Sequence, residues 1–84
     1  MAFSIQYSSD AVKQLKKLDS GIRKQILKRL LILAENPSLA KPLSNDFKNL
    51  RSEHVGKFRV LISVKEKDSV IIVLKVKHRK DVYD

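Results

Sequence analysis

The apolar residues of this chain change period near residue 37, and that change confines it to a mixed architecture of helices and sheet. Between residues 12 and 33 they recur every three or four positions, first Val12, Leu15 and Leu18, then Ile22, Ile26, Leu30 and Leu33. Such spacing gathers side chains onto one face of a helix. Further on the period falls to two: Phe58, Val60, Ile62 and Val64 are interleaved with Arg59, Leu61, Ser63 and Lys65, the pattern of a strand that buries one face. Residues 70–76 are almost wholly apolar and rich in β-branched side chains, which predicts a strand lying centrally in the sheet with helices covering one side. Phe3, Ile5 and Tyr7, alternating with Ser4 and Gln6, predict a strand over residues 2–7.

Punctuation residues set the boundaries. Ser8, Ser9 and Asp10 offer side-chain oxygens to the free amides of a helix start, and Asp19-Ser20-Gly21 breaks the helical run, with Ser20 the expected cap of a second helix. That helix should stop near Glu35, because Asn36 precedes Pro37 and proline cannot donate a helical hydrogen bond. A loop is expected from there to Asp46, a weaker strand over residues 48–53, and a hairpin turn over residues 65–69. The order of strand, helix, helix and three strands predicts a single α+β domain over residues 1–84, a helical hairpin packed on one face of a three-stranded, mainly antiparallel sheet. A domain this short buries only roughly 60–65% of its unfolded surface, so a bound partner would add much of its working stability.

With 18 Lys and Arg against 9 Asp and Glu, the net charge is +9. A field of that sign attracts phosphate, which puts nucleic acid first among partners, although an acidic protein or an anionic membrane surface would satisfy the same charge. The absence of cysteine excludes disulfides, thiolate zinc sites and cysteine nucleophiles, and fits a reducing compartment such as the cytoplasm. Residues 1–10 lack the basic and apolar blocks of a signal peptide, and no run approaches the roughly 20 apolar residues needed to cross a bilayer, so no membrane association is expected. Two histidines and dispersed acids do not compose a metal site; Glu66 and Asp68, the nearest acidic pair, fall in the expected hairpin turn. No glycine-rich phosphate loop occurs, and neither cofactor nor metal is expected.

What remains is a concentration of cations with an imidazole and a phenol at the end of the last strand: Lys75, Lys77, His78, Arg79, Lys80 and Tyr83. Alternation would put Lys75, Lys77 and Arg79 on one face and align His78 with Ile72, Leu74 and Val76 on the other. Arg59, opposite the apolar row of its own strand, should point to the sheet face that helices leave open, towards the same patch. A cluster of this kind can cleave RNA without metal, because the nucleophile is the RNA's own 2′-hydroxyl and the protein need only move protons and hold charge. The products would be a 2′,3′-cyclic phosphate and a 5′-hydroxyl. The helical cations Lys13, Lys16, Lys17, Arg23, Lys24, Lys28 and Arg29 read as a solvated face, an RNA-holding surface or a contact for an acidic partner.

The helical hairpin, the segment Val55-Gly56-Lys57-Phe58-Arg59-Val60-Leu61 and the ending Val76-Lys77-His78-Arg79-Lys80-Asp81-Val82-Tyr83 resemble the RelE/ParE superfamily of toxin–antitoxin modules over nearly the whole chain. The resemblance implies a microbial-ribonuclease-like fold and, for RelE-like members, ribosome-dependent endoribonuclease cleavage of mRNA in the A site. It places the family's strand arginine on Arg59, its terminal tyrosine on Tyr83 and a basic residue on Lys77, with His78 as candidate acid or base and Arg79 in the same motif. The paired lysines of RelE-like members fall on Leu50 and Ser52, leaving Lys48 and Arg51 as substitutes if the register shifts, and Lys75 and Lys80 as further RNA contacts. The implied partners are an acidic, partly disordered RelB-like antitoxin, the ribosome and its mRNA, and operator DNA reached only through the antitoxin. ParE-like inhibition of DNA gyrase, and a member that only binds its antitoxin, are the alternatives.

Overall fold

The computed structural model describes residues 2–43 and 49–81. Strand β1 (Ser4–Tyr7) leads into helices α1 (Ser9–Lys17) and α2 (Ser20–Glu35), followed by a 3-10 turn (Pro37–Leu39) and strands β2 (Lys41–Pro42), β3 (Leu50–Val55), β4 (Phe58–Lys65) and β5 (Val70–His78), and a closing 3-10 turn (Arg79–Asp81). The strands form one five-stranded sheet in the order β1-β5-β4-β3-β2. β1 runs parallel to β5, and the other neighbours are antiparallel. The α+β reading of the sequence therefore stands, with a larger sheet than expected. β2 lies in the segment read as loop, where Lys41 and Pro42 pair with Ser52 and Arg51. The apolar last strand is interior, between β1 and β4, but the middle position belongs to β4.

Local chemistry accounts for the helix ends. Ser8 holds an extended backbone and its Oγ accepts the Ala11 amide at 3.0 Å, so α1 begins there. Asp19, not Ser20, caps α2: its Oδ2 accepts the Gly21 amide at 3.2 Å while Ser20 is already helical. A carboxylate one residue earlier does the work expected of the hydroxyl. Both helices cover one side of the sheet, where Ala11, Leu15, Ile26, Leu30 and Leu33 close over Val60, Ile62, Val64, Ile71, Val73 and Val76.

The buried residues of β5 do not alternate evenly. Leu61 pairs with Lys75 but Ile62 pairs with Val73, so Leu74 is an extra residue in a β-bulge. Ile71 and Val73 enter the core on one side of the bulge and Val76 on the other. The expected row of Ile72, Leu74, Val76 and His78 is thus broken, because a bulge shifts the two-residue period by one. Without it Lys75 and Lys77 would continue the row of Ile71 and Val73 into the apolar layer; with it they reach the open face. Ser8 secures the irregularity: its amide donates to the Val73 carbonyl at 2.9 Å and its Oγ donates to the Leu74 carbonyl at 2.7 Å.

Two measurements follow from these contacts. Ser8→Ala removes a helix cap and leaves the half-buried Leu74 carbonyl unpaired, so urea unfolding should report a loss of about 2 kcal/mol, against roughly 0.5–1 kcal/mol for the exposed cap removed by Asp19→Ala. Burial raises the Tyr7 phenol above its ordinary value. The unfolded chain then ionises first, so this contribution to stability is complete below the ordinary phenol range, near pH 10, and is lost as pH climbs through the raised folded value. Stability measured at alkaline pH should decline less steeply in Tyr7→Phe than in the parent.

Candidate nucleic-acid interface

Cross-strand partners share a face, so the ladder registers identify what the uncovered side of the sheet presents. His54 of β3 lies opposite Arg59 of β4, and Arg59 lies opposite Lys77 of β5. These form one continuous row across three strands. Within it Arg59 Nη2 stands 2.7 Å from His54 Nε2. A guanidinium has donors only, so the ring nitrogen is the acceptor, and in the neutral imidazole the ring proton sits on Nδ1. The next row holds Ser52, Leu61 and Lys75. The Lys75 ammonium lies 3.8 Å from Asp10 Oδ2 of α1, across the edge of β5. A cleft of about 130 Å³ opens there, lined by Asp10, Gln14, Lys75, Val76 and Lys77.

Two backbone features crowd further cations beside the His54–Arg59–Lys77 row. The turn joining β3 to β4 consists of Gly56 and Lys57, Val55 pairing with Phe58, and Gly56 takes the left-handed conformation (φ 58°) that glycine adopts freely. The Arg79 amide donates to the Lys57 carbonyl at 2.7 Å, which folds the closing turn, with Arg79 and Lys80, against that hairpin tip. Lys57, Arg59, Lys77, Arg79 and Lys80 therefore share one end of the sheet. Neither of the ion pairs Arg29–Glu53 and Lys75–Asp10 draws on them. Among the described residues no group of three or more His, Asp or Glu stands close enough to hold a metal ion.

Other candidate residues lie elsewhere. His78 is opposite Phe58 on the helix side of the sheet, where the two rings meet edge-on at 5.2 Å and 78°. Its Nδ1 accepts the Lys80 amide at 3.3 Å, so the imidazole braces the closing turn and does not join Arg59 and Lys77. Arg51 pairs with Ile62, again on the helix side, and donates to the Ala40 carbonyl at 2.7 Å. That guanidinium ties the segment entering β2 to β3. Lys48 and Tyr83 lie outside the described residues. His54 is not among the residues the sequence singles out, although counting back from a two-residue turn at Gly56-Lys57 puts it opposite Arg59.

Residues 5–83 match the family model described as the ParE toxin of the type II toxin–antitoxin system, parDE. The chain belongs to the RelE/ParE superfamily of toxins. A RelE-like toxin protein of Escherichia coli is 28% identical, the match covering 100% of this chain and 93% of the relative. Among solved structures, the RelBE2 toxin–antitoxin complex of Mycobacterium tuberculosis superposes with a TM-score of 0.83 at 22% identity, over 94% of this chain and 93% of that one. The RelB–RelE antitoxin–toxin complex of Methanococcus jannaschii superposes with a TM-score of 0.75 at 28% identity, over 94% and 95%. The RelE/ParE fold thus accommodates the cationic row on the face away from its helices.

Salt dependence separates the two kinds of arginine. For a single-stranded RNA oligonucleotide, the slope of log K against log salt falls by about 0.7 for each phosphate contact removed. Arg59→Ala combined with Lys77→Ala should reduce the slope by roughly 1.4, whereas Arg51→Ala should lower stability and leave the slope unchanged.

Proposed function

We propose that this RelE/ParE-type toxin is a metal-independent endoribonuclease that cleaves mRNA in the ribosomal A site. The observation that carries the reading is the pairing of Arg59 with Lys77 on the open face, a guanidinium and an ammonium side by side with neither engaged by Glu53 or Asp10. An arginine fork matches two non-bridging phosphate oxygens, and the lysine adds a point charge where negative charge grows as phosphorus becomes pentavalent. Lys57, Arg79 and Lys80 would hold the flanking phosphates, and Lys75 one further along the strand. The 2′-oxygen attacks phosphorus, the 5′-oxygen leaves, and a 2′,3′-cyclic phosphate remains. In this reading Tyr83 and Lys48 are additional contacts, and His78 acts indirectly by fixing the turn that carries Arg79 and Lys80.

An acidic RelB-like antitoxin in the cytoplasm is the proposed restraint, as the solved relatives from Mycobacterium tuberculosis and Methanococcus jannaschii are toxin–antitoxin complexes. Opposite charge would speed its association with a chain of net charge +9. Exposed Leu27, Leu31 and Ile32 on α2 offer it apolar surface. Operator DNA would be reached through that antitoxin.

Primer extension on a message translated in vitro tests the activity. Wild-type protein should give codon-phased cleavage, and Arg59→Ala with Lys77→Ala should slow it by at least about 10²-fold, the usual penalty for losing a donor to a developing oxyanion. An intact message together with inhibited gyrase supercoiling would reject the ribonuclease in favour of the gyrase-directed alternative.

A further inference from the structure

We propose that His54 is the group that accepts the 2′-hydroxyl proton, and that Arg59 keeps its lone pair occupied until a phosphate arrives; the inference rests on the ribonuclease reading above. In the free protein Nε2, the one basic atom of the neutral ring, accepts from Arg59 at 2.7 Å. A base whose lone pair is already engaged cannot take a proton. A phosphodiester changes that balance, because a charge-assisted bond from a guanidinium to a phosphate oxygen is roughly twice as strong as one to a neutral acceptor. The guanidinium therefore turns from the imidazole to the phosphate, and the lone pair comes free beside the bound substrate.

Cross-strand geometry supports the assignment. His54, Arg59 and Lys77 stand opposite one another on three adjacent strands, and His54 and Lys77 are both exposed, so a phosphate centred on Arg59 has an imidazole on one side and an ammonium on the other. Attack by the 2′-oxygen forms the O2′–P bond as its proton passes to His54 Nε2. The P–O5′ bond breaks with its electron pair on the 5′-oxygen, which takes a proton from the Lys77 ammonium. Water then carries a proton from the His54 imidazolium to Lys77 and restores both groups. His78, turned to the helix side against Phe58, cannot serve in this position.

Single-turnover cleavage on ribosomes programmed with a defined message, combined with nitrogen-15 NMR of the free toxin, tests the assignment. His54→Gln keeps an oxygen that can accept from Arg59 but cannot be protonated. It should unfold at the wild-type midpoint and cleave about 10²–10³-fold more slowly, the range expected on losing a general base. His54→Ala should be equally slow and regain cleavage when free imidazole is added, whereas Arg59→Ala should not. In NMR spectra of the wild type, His54 should carry its proton on Nδ1, and inorganic phosphate should shift the Nε2 resonance as Arg59 departs. Cleavage by His54→Gln within about threefold of an active wild type, or His54→Ala activity indifferent to imidazole, overturns the base assignment alone. A wild type that leaves the message intact overturns the ribonuclease reading and this assignment with it.

Discussion

The single extra residue at Leu74 decides which side of the sheet the terminal cations occupy. A strand has only two sides, and up to Val73 the odd-numbered residues of β5 point into the core. Lys75 and Lys77 inherit that parity and would have to bury their ammonium groups among Ile62, Leu30 and their neighbours, at a penalty far above what a domain this small can absorb. The bulge removes that conflict by turning both lysines to the open face, opposite Leu61 and Arg59. Its stability depends on Ser8, which lies 66 residues away in sequence and bonds the Val73 and Leu74 carbonyls while capping α1. One hydroxyl thus couples the end of β1, the start of α1 and the orientation of the cationic strand.

This dependence explains where reading the sequence succeeds and where it stops. The helices and the last two strands are legible because each repeats its own apolar period over enough residues, as with Ile22, Ile26, Leu30 and Leu33. Asp19 and Ser20 are both good capping residues, and which one caps depends on the chain's entry angle more than on composition. The bulge leaves no local trace, since Ile72, Val73 and Leu74 are all apolar and any parity fits them. The direction of Arg59 is legible because its neighbours in β4 alternate cleanly. Unbroken alternation aligns His78 with Ile72 and Leu74, whereas the bulge sets it against Phe58 on the helix side. The direction of His54 is not legible, because its strand is short and mixed, with no apolar period to expose it.

The arginines differ in the acceptors the fold gives them. Arg29 pairs with the largely buried Glu53 on the helix side, and Arg51 donates to the Ala40 carbonyl. Both have fixed acceptors, so their charge and geometry are committed to the fold. Arg59, half-buried among apolar neighbours, has the neutral ring of His54 as its partner. A cation given a weak acceptor is held in place without being neutralised, and remains able to exchange that acceptor for a stronger one.

Crowding of unneutralised cations also bears on the stability of the free toxin. Lys57, Arg59, Lys77, Arg79 and Lys80 are held at one end of the sheet by short backbone contacts, including the Arg79 amide on the Lys57 carbonyl. Repulsion among them opposes that packing and is weakened by salt or by a bound polyanion. RNA and an acidic protein chain would each relieve it through the same charges. A protein of this kind gains stability from whichever polyanion it binds, so acidic side chains placed at that end of the sheet would both stabilise the fold and exclude phosphate. Under the proposed function, restraint of the toxin and recognition of RNA would be two uses of one electrostatic feature, distinguished by whether the bound anion carries a 2′-hydroxyl next to a phosphodiester.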